Sequence, residues 1–375
     1  MTLIPLNPKE KVNAAHHRAL FGAAMAIAAL AGCQTTQAPQ ASRVAAPVPI
    51  PGFSLASPKA AASMPLPPAA PAALVAAVNE LARGFDGKLG IAVRSIDQDW
   101  QVATNGDIAL PQQSVSKLWV AMTVLDAADQ GRLRLDDPVR VTREDLTLFH
   151  QPIAAMVRGD GYQATVGELL QRSLTQSDNT ANDRLLRLVG GPEAVRGFIR
   201  RKGLGTIKFG PGERLLQSQT AGLSWQPEFA TGNGFIRARA SLPLDTRVKA
   251  YQAYVADPPD GAAPVAVTAA LAKLKRGAIL SAPSTRYLID TMESAKTGKQ
   301  RLAGAVPPGW RFGHKTGTGQ DLSGRTAGYN DVGILSAPDG RSYAIAVMIG
   351  DTPRPVRERQ ALMHAVIASV IATHS

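Results

Sequence analysis

The stretch Ser114-Val-Ser-Lys117 governs the interpretation of this chain, because Ser177-Asp-Asn179 and Lys315-Thr-Gly317 follow it in that order. A Ser-x-x-Lys quartet alone occurs by chance in many proteins and would indicate an ordinary surface helix, whereas the ordered triple is far more specific. On a helix, residues three apart lie on one face, so Lys117 is able to reach Ser114. A serine hydroxyl is a poor nucleophile until a neighbouring base takes its proton. The motifs therefore predict a nucleophilic serine near the start of a helix, activated by a lysine.

The composition allows a large core and limits the classes of partner. The chain has 375 residues, of which 45% are hydrophobic, so one large domain or two small ones are expected. The formal net charge of +12 would suit nucleic acid or an anionic substrate. The basic residues are spread along the chain, and the sequence has no Gly-rich phosphate loop, zinc-ligand cluster or aromatic-basic RNA motif. We therefore expect no nucleic-acid partner, no metal and no cofactor.

The N-terminus carries the sole cysteine of the chain, Cys33, so no intramolecular disulfide can form. Basic residues precede a short apolar run, residues 19–30, and Leu30-Ala-Gly-Cys33 follows it. The pattern resembles a bacterial lipoprotein signal, and the run is too short to span a membrane comfortably. This resemblance implies that residues 1–32 are removed and that Cys33 is lipidated. The alternative is a buried structural cysteine.

Residues 33–71 are rich in Ala, Pro, Gln and Ser, and the nine prolines among them resist both helix and sheet. We expect an extended tether between a membrane and a catalytic domain that spans residues 72–375. A lipidated Cys33 would place the protein in the periplasm. Gln34, in place of the aspartate associated with inner-membrane retention, favours the outer membrane.

From residue 72 onward the hydrophobic periodicity predicts both helices and strands. The expected helices cover residues 72–85, 114–131, 165–174, 180–189 and 361–373. The expected strands cover residues 89–95, 100–104, 309–315, 329–336 and 342–349. The two ends of the domain should thus form one layer and the middle a helical lobe. The expected fold class is α/β, as an α+β sandwich: an antiparallel sheet flanked by helices, an all-helical lobe, and an active site in the cleft between them.

The ordered motifs resemble those of the class A serine β-lactamases, within the superfamily of penicillin-binding proteins and serine β-lactamases. The strongest local match is Ser177-Asp-Asn-Thr-Ala-Asn182, which is followed by Leu185-Leu186 and Gly190-Gly-Pro192. The resemblance covers roughly residues 72–375. It implies a β-lactamase/transpeptidase-like fold and hydrolysis of the β-lactam amide of penicillins and cephalosporins through a serine acyl-enzyme. We expect a monomer.

The resemblance also implies a role for each motif residue. Ser114 corresponds to the nucleophile, Lys117 to its partner base, and Ser177 to the hydroxyl that passes a proton to the leaving nitrogen. Asn179 matches the side chain that holds the substrate's amide carbonyl.

On the strand, Lys315 and Thr316 match the residues that bind the substrate carboxylate, beside Gly317. The backbone N–H groups of Ser114 and Thr318 would form the oxyanion hole. The family usually has an arginine near this strand. Arg325 is the first candidate for it and Arg357 the second.

The base for deacylation is the decisive residue, because a penicillin-binding protein stays acylated whereas a β-lactamase clears the ester. Glu213-Arg-Leu-Leu-Gln217 resembles the family's Glu-x-x-Leu-Asn, with Gln in place of Asn. Trp225-Gln-Pro-Glu-Phe229 resembles Trp-Glu-Pro-Glu-Leu, with Gln226 where the base belongs. Glu213 lies 36 residues after Ser177, the spacing expected in the family. We therefore predict Glu213 as the base and Gln217 as the amide that positions the water; the alternative is an ordinary exposed loop carboxylate.

Two features depart from the family pattern. Residues 219–257 form an extra segment, and the sequence does not show whether it closes over the site. Phe149 or His150 falls near the position of the aromatic residue at the cleft rim.

Two other functions stay open on the sequence alone. One is a penicillin-binding D-Ala-D-Ala carboxypeptidase or related esterase that uses the same acylation machinery. The other is a non-catalytic envelope lipoprotein that binds peptidoglycan and keeps the fold.

Overall fold

The computed structural model describes residues 68–374. The predicted signal (residues 1–32), Cys33 and all but the last four residues of the tether (33–71) lie outside these residues, so they stay predictions. Within the described part of the chain, no helix is both long enough and apolar enough to cross a membrane.

The described elements are numbered here in chain order. The α-helices are α1 (Ala72–Arg83), α2 (Lys117–Asp129), α3 (Val166–Thr175), α4 (Asn179–Leu188), α5 (Pro192–Arg201), α6 (Glu213–Thr220), α7 (Gly234–Ser241), α8 (Leu244–Ala256), α9 (Pro264–Lys275), α10 (Ala282–Glu293) and α11 (Val356–Ala372). The strands are β1 (Lys88–Ser95), β2 (Gln101–Thr104), β3 (Leu110–Pro111), β4 (Pro138–Val141), β5 (Tyr162–Thr165), β6 (Gly261–Ala262), β7 (Arg311–Thr318), β8 (Asp321–Leu322), β9 (Arg325–Thr326), β10 (Tyr329–Ser336) and β11 (Ser342–Asp351).

The core of the α/β layer is an antiparallel sheet with the strand order β2-β1-β11-β10-β7. Every residue of β11 is buried, because helices cover both faces of the sheet. The alternation of side chains along the strand separates two cores. Ile345, Val347 and Ile349 pack in the cluster with α1 and α11, whereas the small Ala344 and Ala346 pack in the cluster with α2 and α9. The predicted fold class is confirmed.

Helix α2 forms the centre of the helical lobe. Its residues from Lys117 to Ala127 are all buried, which is the property of a core helix with no solvent-facing side. The α-helix begins at Lys117 and not at Ser114 as predicted, because Gln113–Ser116 is a 3₁₀ turn. Gln113 enters that turn with a positive φ of 54°, a conformation that no α-helix accommodates.

The extra segment, residues 219–257, is folded and contains α7 and α8. A small apolar cluster joins Phe229 and Phe235 of this segment to Leu148. Helix α8 packs Tyr251 and Tyr254 in a second cluster with residues of α6 and of the loop before β10. We call residues 219–257 the insertion.

Candidate active site

The nucleophile predicted from sequence lies in the 3₁₀ turn directly before α2. The Lys117 ammonium donates a hydrogen bond of 2.7 Å to the Ser114 hydroxyl. Gln113 fixes this turn, because its backbone N–H donates to the buried Asp260 carboxylate at 2.8 Å. The turn therefore presents Ser114 to a cleft of about 540 Å³.

Lys117 is fully buried, and each of its three contacts is with a predicted site residue. Besides Ser114, its Nζ donates to Asn179 Oδ1 at 2.9 Å and to the Glu213 carboxylate. A buried ammonium needs a charged partner and a full set of acceptors, and this lysine has both. One nitrogen atom thus joins the nucleophile to the predicted base.

The second motif places its serine opposite the second lysine. Lys315 Nζ donates to Ser177 Oγ at 2.9 Å. Burial lowers the pKa of Lys315 well below its ordinary value, and the charges of Lys117 and Arg301 lower this pKa further. A lysine in this state gives up a proton more readily than one in water.

The middle residue of that motif has a structural role. Asp178 caps α4 by accepting from the Ala181 N–H at 2.9 Å, and it also accepts from the Ile153 N–H at 2.7 Å. Ser177 itself has a positive φ of 59°, which turns its hydroxyl toward the cleft as the helix begins. The Asn179 amide donates to the Leu148 carbonyl at 2.8 Å, so its orientation is fixed.

Glu213 lies at the start of α6, within the cleft, and is only 5% exposed. Its backbone N–H donates to Asp183 Oδ1 at 3.1 Å, and Gln217 Nε2 donates to its Oε2 at 3.3 Å. It is therefore not an exposed loop carboxylate. Gln226 and Glu228 of the rival segment are exposed and do not line the cleft.

The end of strand β7 closes the cleft on the sheet side. Thr316 and Thr318 line the cleft, and Gly317 between them packs on the nucleophile turn. A β-carbon on Gly317 would lie 2.2 Å from the Gln112 carbonyl oxygen, so only glycine lets the strand come this close. This approach brings the backbone of Thr318 toward that of Ser114.

The sequence-based choice of Arg325 was wrong. Arg325 forms an ion pair with Asp351 at 2.6 Å and lines a different cavity, with Tyr251. It lies on the short β9, whose next residue, Thr326, bridges to Thr352 just after β11. Arg357, the second candidate, does not line the cleft either.

Arg301, which sequence reasoning missed, is the arginine beside β7. Its guanidinium donates to the Gly317 carbonyl at 2.9 Å and to Thr318 Oγ1 at 2.6 Å, and it stacks 3.8 Å from the ring centroid of Tyr329. Burial lowers its pKa. The sequence signal for it is weak: Arg301 precedes Lys315 by 14 residues, in a loop without a motif.

The rim of the cleft is formed by the two residues predicted near the aromatic position and by part of the insertion. Phe149 and His150 both line it. Phe149 is 51% exposed and meets Phe235 of the insertion edge-on, with 5.1 Å between ring centroids. Arg239 of the insertion also lines the cleft, so the extra segment reaches the site.

The fold and this constellation define a serine hydrolase that works through an acyl-enzyme, with two lysines, a second serine and a buried glutamate around the nucleophile. Residues 73–374 match the beta-lactamase enzyme family.

Relatives of known class agree with this match. The chain is 32% identical over 290 residues to the extended-spectrum beta-lactamase PER-1 of Pseudomonas aeruginosa, covering 77% of this chain and 83% of that relative. It is 29% identical over 239 residues to the carbapenem-hydrolyzing beta-lactamase KPC of Klebsiella oxytoca, covering 64% of this chain and 69% of that protein. The crystal structure of a beta-lactamase from Chitinophaga pinensis superposes with a TM-score of 0.66 at 27% identity, covering 80% of this chain and 99% of that one. The chain belongs to the beta-lactamase enzyme family, as a class A serine β-lactamase that hydrolyses β-lactams.

Proposed function

We propose that Ser114, Lys117, Ser177 and Glu213 carry out this hydrolysis as nucleophile, acylation base, proton relay and deacylation base. The observation that carries the proposal is the set of three contacts at Lys117, which link Ser114, Asn179 and Glu213 inside one cleft. A structural ion pair would not need a nucleophilic hydroxyl as its third member.

In acylation, Ser114 Oγ bonds to the lactam carbonyl carbon, and the C–N bond of the ring breaks. The serine proton passes to Lys117, or to Glu213 through a water molecule; both routes start from groups that contact each other here. The nitrogen receives its proton from Ser177. The hydrogen bond from Lys315, whose pKa is lowered, supports this role because it lets Ser177 be reprotonated.

In deacylation, Glu213 takes a proton from water, and the resulting hydroxide attacks the ester carbon. The C–O bond to Ser114 then breaks, and Ser114 Oγ takes back a proton from Glu213 by way of Lys117, which contacts both groups. Gln217 supports this step because its Nε2 donates a hydrogen bond to Glu213 Oε2. Gln320 Nε2 in turn donates to the backbone carbonyl of Gln217 at 2.8 Å. The substrate carboxylate would bind at Thr316 and Thr318, where Lys315 and Arg301 supply positive charge.

Replacement of the nucleophile tests the proposal. Ser114→Ala should abolish both turnover and the covalent penicillin adduct seen by intact-mass spectrometry, while Ser224→Ala, an exposed serine outside the cleft, should change neither. Retained labelling of Ser114→Ala would contradict the assignment. Release of terminal D-Ala from a peptide, at a higher kcat/KM than for a penicillin, would favour the carboxypeptidase alternative.

We also propose that the protein is a monomer held in the periplasm, at the outer membrane, by a lipid on Cys33. The basic start, the apolar run and Leu30-Ala-Gly-Cys33 support this. In a Gram-negative host, the full chain should fractionate with outer membranes and Cys33→Ala should not carry lipid. If unlipidated Cys33→Ala is retained at the membrane as well as the unaltered protein, the lipid anchor is contradicted. A dimer measured by light scattering would contradict the monomeric state.

A further inference from the structure

The insertion brings a positive charge into the cleft from outside the motif residues. Arg239 lies on α7 and lines the cleft, and its Nη2 donates to the backbone carbonyl of Asp321 at 2.6 Å. One turn earlier, on the same face of α7, Phe235 packs edge-on against Phe149 at 5.1 Å and against Phe229 at 5.8 Å. The insertion is thus attached to both rims, and Arg239 is held between them.

Among residues 68–374, no carboxylate lies within ion-pair distance of Arg239. The Asp321 carboxylate accepts from Thr326, and only its backbone carbonyl contacts Arg239. Arg239 Nε is buried and without a hydrogen-bond partner in the described part of the chain, and so is Nε of the neighbouring Arg247. Burial, and then the like charge of Arg247, lower the pKa of Arg239, while the charge of the Asp321 carboxylate raises it. A guanidinium has five donors in a fixed fork, so this one retains capacity for an anion.

Arg239 is distinct from the arginine beside β7. Arg301 contacts Thr318 and Gly317, where the carboxylate common to the β-lactam nucleus would bind. Arg239 lies instead between Asp321, which it contacts directly, and the Phe149 rim, which Phe235 of the same helix contacts; the His150 carbonyl of that rim accepts from the Asn179 N–H at 2.9 Å. In the proposed function Asn179 holds the amide of the substrate side chain. Arg239 and Asn179 line the same cleft, so a charged group on that side chain would extend into a space that Arg239 borders.

We propose that Arg239 binds a negatively charged substituent on the side chain of the substrate, so that the insertion favours β-lactams with a second carboxylate. This inference rests on the proposed function of the cleft.

Two penicillins that differ by one carboxylate test the proposal: benzylpenicillin and its α-carboxy derivative. Arg239→Gln should lower kcat/KM for the α-carboxy compound about tenfold, mainly through KM, because a charge-assisted hydrogen bond is lost. Benzylpenicillin should change less than about twofold. Arg239→Lys should restore part of the loss. Arg237→Gln removes the same charge from an exposed position of the same helix and should change neither substrate.

If Arg239→Gln lowers kcat/KM equally for both penicillins, Arg239 only anchors the insertion. If it changes kcat/KM for neither, Arg239 binds no substituent. Either result overturns the proposal. The same comparison in a Ser114→Ala background, by calorimetric binding, needs no turnover. There, a tenfold selective weakening of the α-carboxy compound by Arg239→Gln supports the proposal and unselective binding overturns it. Failure of the unaltered protein to hydrolyse benzylpenicillin would contradict the proposed function alone.

Discussion

At the scale of single residues, the two lysines of the cleft have different electrostatic surroundings. Lys117 contacts the Glu213 carboxylate, whereas Lys315 donates to Ser177 and to the Thr316 carbonyl. Within residues 68–374, no carboxylate lies within ion-pair distance of Lys315, which is why burial lowers its pKa so far. The difference suits Lys315 to release a proton to Ser177.

Arg301, beside β7, and Arg325, the candidate predicted from sequence, make a matched pair for mutation. Arg301→Met removes the cation from the carboxylate site and leaves the Gly317 and Asn330 carbonyls without their donor. We expect KM for benzylpenicillin to rise at least about tenfold, since a charged hydrogen bond contributes about 1.5–3 kcal/mol. Arg325→Met breaks only a half-exposed pair with Asp351 and should change KM less than about twofold. Steady-state kinetics distinguish the two variants, and the reverse order of effects would restore Arg325 as the substrate-binding arginine.

At the scale of elements, the 3₁₀ turn of the nucleophile depends on one carboxyl group. Asp260 Oδ2 accepts from the Gln113 N–H and, at 3.2 Å, from the Tyr254 hydroxyl, while Oδ1 is buried and without a partner in the described residues. Burial raises the pKa of Asp260 to about 6. A protonated carboxyl fits this site better than a carboxylate, because it removes the desolvated charge.

This raised pKa predicts a pH-dependent stability. The folded pKa exceeds the ordinary 3.8, so the stabilising contribution of Asp260 is complete below about pH 4 and is lost as pH rises through 6. Asp260→Asn cannot ionise. The free energy of unfolding of Asp260→Asn minus that of the unaltered protein should therefore increase by on the order of 3 kcal/mol from pH 4 to pH 7. Urea unfolding at several pH values measures this.

Asp257→Asn is the control for that series, because Asp257 is exposed and lies three residues away in the same loop. The difference in free energy of unfolding between Asp257→Asn and the unaltered protein should vary little with pH. If Asp260→Asn gives the same flat difference, folding does not raise the pKa of Asp260 and the account of the turn is wrong.

Local sequence predicted most of the elements but not where they begin around the site. Strand β10 was predicted with its observed bounds, because its apolar run is bounded by turn residues. The start of α2 was predicted three residues early, since the positive φ of Gln113 is imposed by Asp260, 147 residues away. No helix was predicted at Glu213, which begins α6 after Gly212 with its positive φ of 98°.

At the scale of the whole molecule, the cleft forms where β7 meets the helical lobe, and the insertion adds a third side. The motifs predicted Ser114 and both lysines because each carries its residue types in a short spacing. Arg301 and Arg239 were missed because each reaches the cleft from a loop or helix whose local sequence gives no sign of it. Their positions depend on the packing of Tyr329 and of the Phe229–Phe235 cluster. Such contacts join distant segments, so no spacing rule indicates them.

The central claim is that Glu213 clears the acyl-enzyme, and intact-mass spectrometry of the protein mixed with a penicillin, with hydrolysis followed optically, tests it most directly. The unaltered protein should hydrolyse the drug with little lasting adduct. Glu213→Gln should accumulate an adduct on Ser114 with the mass of one penicillin, because no carboxylate then activates the water. Glu228→Gln, in the exposed rival segment, should behave as the unaltered protein does. Unchanged turnover by Glu213→Gln, or a stable adduct on the unaltered protein, would contradict the account.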